Sequence, residues 1–163
     1  MQKEVKLYLS SPLGFSEIGR EFLYQKIVPL IESLNYQILD PWKLTPKELI
    51  EPIVNLPYGK ERRERWYELN NIIGKNNAEA IHKATGLFVV LDGVDVDSGT
   101  ASEIGYAAAL GKPILGYRGD FRLSADNEGS TVNLHVEYFI RLHKGKIITK
   151  IEDLKKELKL LFE

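Results

Sequence analysis

The sequence has no cysteine at all. Disulfides, thiolate nucleophiles and cysteine-based zinc sites are therefore excluded. It lacks a charge of one dominant sign: the formal net charge is −1, so no basic balance points to nucleic acid. It also lacks any run near the roughly 20 apolar residues of a membrane span. The first residues, MQKEVKLYLSSP, hold too short an apolar stretch for a signal peptide, so a cytoplasmic location is expected. The Walker A and GxGxxG patterns are missing, as are a nucleophile elbow and a serine–histidine–aspartate arrangement. His82, His135 and His143 are scattered without metal-ligand spacing, so no metal and no cofactor is expected.

What remains is a 163-residue chain, 44% hydrophobic, enough for one compact domain spanning residues 1–163. Strand-like and helix-like segments alternate, with no repeat. Strands are predicted at 5–10, 36–39, 87–91, 114–117 and 146–148. Helices are predicted at 16–34, 60–84, 100–110, 131–142 and 151–161. Ser16 is a predicted N-cap, Pro29 a predicted bend, and Gly111 a predicted C-terminal stop. Residues 41–59 read as irregular apart from a short helix opened by Thr45, Pro46 and Glu48 in capping-box spacing, and Thr149 and Glu152 box the start of the last helix. The expected fold class is α/β: a flavodoxin-like, five-stranded parallel sheet with helices on both faces. Its ligands would bind beyond the carboxyl ends of the strands.

The most informative stretch is 87–122. The apolar run Leu87 to Leu91 leads into an acidic loop with Asp92, Asp95 and Asp97, then into a helix carrying Glu103. Two readings of Glu103 compete. Thr100 and Glu103 have capping-box spacing, which makes Glu103 a helix cap. Alternatively, a carboxylate in the first helical turn is held as an anion by the dipole, as a nucleophile must be, and Gly99 would let a substrate approach closely. The aspartates fit a solvated turn, or an acid whose proton affinity is raised by a neighbouring carboxylate. A calcium loop is excluded. Counted from Asp95, Thr100 stands where glycine is needed and Tyr106 where glutamate is needed. Tyr8, near the end of the first strand, is either a packing residue or a hydrogen-bond donor at the sheet's mouth. Leu13 and Phe15 in the following loop are apolar enough to cover a flat ring. The sequence assigns no role to Arg118, Asp120 and Arg122; on composition alone they read as a solvated ion-pair loop.

Several segments taken together resemble nucleoside 2-deoxyribosyltransferases. They are Tyr8-Leu-Ser-Ser-Pro-Leu-Gly-Phe-Ser, Asp97-Ser-Gly-Thr-Ala-Ser-Glu103-Ile-Gly-Tyr-Ala, Gly111-Lys-Pro, Tyr117-Arg-Gly-Asp-Phe-Arg122 and Val132-Asn133-Leu134. The resemblance runs from the first strand to about Ile140. It implies transfer of a 2-deoxyribosyl group between nucleobases by double displacement. It implies Glu103 as the nucleophile, Asp97 as the carboxyl group that binds and protonates the base, and Tyr8 as the residue that orients Glu103. It implies that Asn133 reaches into a neighbouring subunit's site, so that the enzyme is at least a dimer, with deoxynucleosides and nucleobases as its ligands.

Two positions depart from the family pattern. Asn77 stands where the family often has an aspartate, and an amide can bond a base but cannot give it a proton. His135 stands where a methionine is common. Acid help would then fall to Asp97, with Asp92 as a secondary candidate. An N-glycosidase acting on nucleosides or their 5′-monophosphates is the alternative on the same scaffold, and a non-catalytic nucleotide-binding module is the alternative of another class.

Overall fold

The computed structural model describes residues 4–163. Strand β1 (Lys6–Ser10) leads through a 3-10 turn (Pro12–Phe15) into α1 (Glu17–Phe22), a π turn (Leu23–Ile27) and α2 (Val28–Glu32). Ser16 caps α1 as expected, its hydroxyl accepting from the Gly19 amide. The helix is continuous to Glu32 but changes winding just ahead of Pro29. A proline has no amide to offer its i−4 carbonyl, and the wider π turn accommodates that loss. Then follow β2 (Gln37–Leu39), α3 (Pro41–Leu44), α4 (Lys47–Val54) and α5 (Lys60–Lys83), which runs unbroken through Gly74. The chain finishes with β3 (Gly86–Val90), α6 (Ser98–Ala109), β4 (Ile114–Tyr117), α7 (Leu134–Leu142), β5 (Lys146–Ile148) and α8 (Leu154–Phe162).

All strand pairs are parallel and the order is β2-β1-β3-β4-β5, the doubly wound arrangement expected. β3 lies at the centre and is buried along its whole length, as a continuous apolar run requires. Side-chain alternation divides the core. Leu7, Leu9, Phe88, Val90 and Leu115 face α1, α2 and α8. Tyr8, Leu87, Val89 and Ile114 face α5, α6 and α7. Tyr8 thus points to the same side as the helix that carries Glu103. Among the described residues no helix is long and apolar enough to cross a membrane.

Four local expectations are corrected. The stretch after β2 is more ordered than its prolines suggest, because Asp40 accepts from the Trp42 amide at 3.0 Å and Pro41 starts α3. Thr45 does not cap α4, whose N-cap position is Pro46, and its hydroxyl is buried without a partner. Thr149 does not cap the last helix either; a 3-10 turn (Ile151–Asp153) precedes α8. Finally, Thr100 and Glu103 form no capping box. Asp97 is the N-cap of α6, so the helix starts two residues earlier and Glu103 falls beyond its first turn.

Candidate active site

The carboxyl ends of β1 and β3 open into a cleft of about 260 Å³, lined by Ser11, Phe15, Pro41, Trp42, Ile73, Asn77, Asp97, Gly99, Thr100 and Glu103. A larger hollow of about 590 Å³ lies at the amino ends of β1 and β2, bordered by Val5, Tyr36 and Phe162. The smaller cleft is the better candidate. It sits where doubly wound sheets bind ligands, and two carboxylates share it.

Glu103 is half-buried, and both its oxygens are held by strand β1. The Tyr8 hydroxyl donates to Oε1 at 2.6 Å and the Ser10 hydroxyl to Oε2 at 2.5 Å. Strand alternation makes this possible, since residues two apart share a face. The same rule applied to Tyr8 would have singled out Ser10 from sequence. Burial pushes the Glu103 carboxyl above its usual range, the two hydroxyls pull it back, and the negative charge of Asp97 raises it again. The anion is therefore held by hydroxyls rather than by helix amides. Burial, together with the Glu103 charge, drives the Tyr8 phenol far above its ordinary value, so it remains a protonated donor.

Asp97 is held through one of its two oxygens. Its Oδ2 accepts from the Thr100 amide at 3.0 Å, fixing the start of α6, while Oδ1 has no partner among the described residues. Gly99 beside it keeps the rim open; a Cβ there would stand 3.1 Å from Asp97 Oδ2. Asn77 comes from α5 one helical turn after Ile73, so both line the same wall. Its Oδ1 is buried and unpaired, an acceptor in search of a donor.

Phe15 and Trp42 meet edge to face with ring centroids 4.8 Å apart and form the apolar rim. Gly14 is required beneath them, because an added Cβ would lie 2.1 Å from the indole of Trp42. Trp42 is a lining residue that the sequence reading passed over. Its signal was the Asp40–Pro41 pair that opens α3.

The other expected residues lie apart. Leu13 packs against the core under α1 rather than lining the cleft. Asp92 accepts from the Asp120 amide at 2.9 Å and stays in the loop behind the cleft. His135 stacks on Phe139 at 4.4 Å. Within one chain Asn133 caps α7, accepting from His135 and Val136 and donating to Asp126. Arg118 is 1% exposed, so it is no solvated loop residue; nearby, the exposed Arg122 pairs with a half-buried Asp120. Among the described residues no group of three or more His, Asp or Glu side chains is placed to hold a metal ion.

The cleft thus brings together an ionisable carboxylate gripped by two hydroxyls, a second carboxylate with a free oxygen, an unpaired amide and an aromatic rim. Several solved structures share the fold. A conserved protein from Enterococcus faecalis matches with a TM-score of 0.72 and 22% identity, covering 97% of this chain and 99% of that one. A 2-deoxyribosyltransferase from Bacillus psychrosaccharolyticus matches with a TM-score of 0.66 and 22% identity, over 93% and 90%. A CMP N-glycosidase from Clostridium botulinum matches with a TM-score of 0.55 and 16% identity, over 95% and 98%. No curated protein matches the sequence closely enough to count as a relative. The family model described as nucleoside 2-deoxyribosyltransferase matches residues 7–135, which include Tyr8, Ser10, Asn77, Asp97, Glu103 and Asn133. With most of its length inside that match and the carboxylate cleft inside it too, the chain belongs to the nucleoside 2-deoxyribosyltransferase family.

Proposed function

We propose that the protein transfers a 2-deoxyribosyl group between nucleobases through a covalent ester on Glu103. The observation that carries this reading is the double grip of Tyr8 and Ser10 on Glu103 in a cleft shared with Asp97. A Glu103 oxygen attacks C1′ on the face opposite the base. The C1′–N bond breaks, its electron pair goes to the base nitrogen, and Asp97 supplies the proton. The acceptor base then attacks C1′ from the vacated face. Asp97 takes its proton and Glu103 leaves as a carboxylate. The configuration at C1′ is retained. Burial keeps Glu103 basic enough to attack, while the hydroxyls stabilise it each time it is ionised. Trp42 and Phe15 cover the base, and Asn77 bonds its edge. Ester lifetime depends on excluding water, which the aromatic rim and a second subunit would provide.

Hydrolysis by the same ester, with water in place of the acceptor base, is the second reading, and the N-glycosidase neighbour favours it. Among the described residues no lysine or arginine lines the cleft, which supports unphosphorylated substrates over 5′-monophosphates. Incubation with 2′-deoxyinosine and free adenine separates these readings. Formation of 2′-deoxyadenosine is the expected result. Free deoxyribose without exchange makes the protein a hydrolase, and no turnover makes it a binding module.

The protein works as at least a dimer, with Asn133 completing a neighbour's site. Leu134, Tyr138 and Leu142 support this. They form one apolar stripe along α7 directly after Asn133, 51%, 55% and 44% exposed in the single chain. Asn133→Ser keeps a capping oxygen but loses the amide. Mixing Asn133→Ser with Glu103→Ala, each nearly inactive alone, is expected to restore exchange, because one site of the mixed dimer would hold both native residues. No recovery in demonstrably mixed dimers places Asn133 outside a shared site.

A further inference from the structure

Arg118 takes no part in the chemistry above, yet it heads the largest fully buried side chains. It follows β4 directly. Its guanidinium donates to the Leu91 carbonyl, to the Gly93 carbonyl at 3.1 Å, and to the Arg122 carbonyl at 3.2 Å from Nε and 2.7 Å from Nη2. A buried charge is costly unless its donors are satisfied, and the planar fork of arginine alone reaches three separate carbonyls in one plane. Leu91 and Gly93 frame Asp92, whose Oδ1 holds the Asp120 amide. The loops after β3 and β4 are thus stitched twice. Gly93 has φ of 136°, a turn that favours glycine, and Asp97 follows four residues later. Between Gly93 and the start of α6, Val94 is 81% exposed, and the segment is otherwise held by the buried Val96, whose amide donates to Asp95 Oδ1 at 2.7 Å, and by the Asp97–Thr100 cap.

We propose that Arg118 is a positioning residue: by gripping the Leu91 and Gly93 carbonyls it fixes the loop that sets the free oxygen of Asp97 against the departing base. This rests on the reading that Asp97 delivers the proton. The pairing of Asp120 with Arg122 holds the far side of the same clamp, because the Arg122 carbonyl is one of the three acceptors.

The test compares two donors. The base of 2′-deoxyinosine must be protonated to leave. The base of N7-methyl-2′-deoxyinosine is already cationic and leaves as a neutral molecule without acid. Arg118→Lys retains the charge but not the fork. It is expected to lower kcat/KM about 10–100-fold on 2′-deoxyinosine, part of what an acid contributes, and less than about threefold on the methylated donor. Asp92→Ala, which removes the second stitch alone, should shift the ratio in the same direction and stands in if Arg118→Lys does not fold. A merely structural role would lower the melting temperature and reduce both donors equally, and that outcome overturns the proposal. Asp97→Asn is the reference. If it shows no donor dependence, the acid assignment of Asp97 fails and the proposal with it. If it does while the folded clamp variants keep the native ratio, only the positioning role fails.

Discussion

Replacing Glu103 with alanine is expected to lower kcat/KM for base exchange by about 10⁴-fold or more, roughly 5.5 kcal/mol of barrier. The loss is this large because Asp97, the other carboxylate lining the cleft, lacks the grip of Tyr8 and Ser10 and is needed for the proton of the base. Glu103→Gln should be equally inactive, yet it should not harm the fold. An amide fills the same space and can still bond the Tyr8 and Ser10 hydroxyls, which are free to rotate. The stability effect has a definite sign. Burial raises the folded-state affinity of Glu103 for a proton, so the native carboxylate stabilises the fold best when protonated. That contribution is fully present below its unfolded value and is lost as pH rises through the raised folded one. The glutamine variant has no such dependence. Its melting temperature relative to the native protein should therefore be higher at pH 7 than at pH 4. Thermal unfolding of both proteins across that range checks it; a relative stability that falls with rising pH would show that the hydroxyls outweigh burial.

Asp97→Asn is expected to lower kcat/KM on 2′-deoxyinosine by about 10²–10⁴-fold, the span of general acid catalysis. Asparagine caps a helix as well as aspartate does, so α6 should start at the same residue and stability should change little. The activity loss then reports the proton and not the cap. Asn77 cannot compensate, because an amide has no proton to give at neutral pH. Conversely, Asn77→Asp restores an acid on the α5 wall and should return part of the activity to the Asp97→Asn variant. An Asp97→Asn enzyme with native rates would assign the proton to another group.

Much of this site was legible in the chain because periodicity is a local property. The five strands, the central position of β3, and the helix that follows Asp97 are all written as runs and alternations. Tyr8 and Glu103 lie 95 residues apart, and pattern alone placed each at the sheet's mouth without pairing them. Ser10 was overlooked although it shares a strand face with Tyr8. Trp42 was overlooked because prolines on either side suggested an irregular stretch, when one of them begins a helix. The role of Asp97 as N-cap was obscured by the capping-box spacing of Thr100 and Glu103 within the same helix start. Such boxes are only spacings; whether they form depends on whether the glutamate has a better partner, and here the strand supplies two hydroxyls. Arg118 was unreadable because nothing in a Tyr-Arg-Gly-Asp sequence says that the arginine folds inward. Its partners are carbonyls, which every residue has.

The covalent step can be observed directly. A 2′-deoxyinosine analogue with fluorine at C2′ destabilises the oxocarbenium-like transition state and slows formation and breakdown of the ester. Incubated without an acceptor base, the protein should gain the mass of one sugar residue, and peptide fragmentation should place it on Glu103. Addition of adenine should remove the adduct and yield the corresponding adenine nucleoside. Release of the base with no adduct at any time, or an adduct on a residue other than Glu103, would contradict double displacement through Glu103.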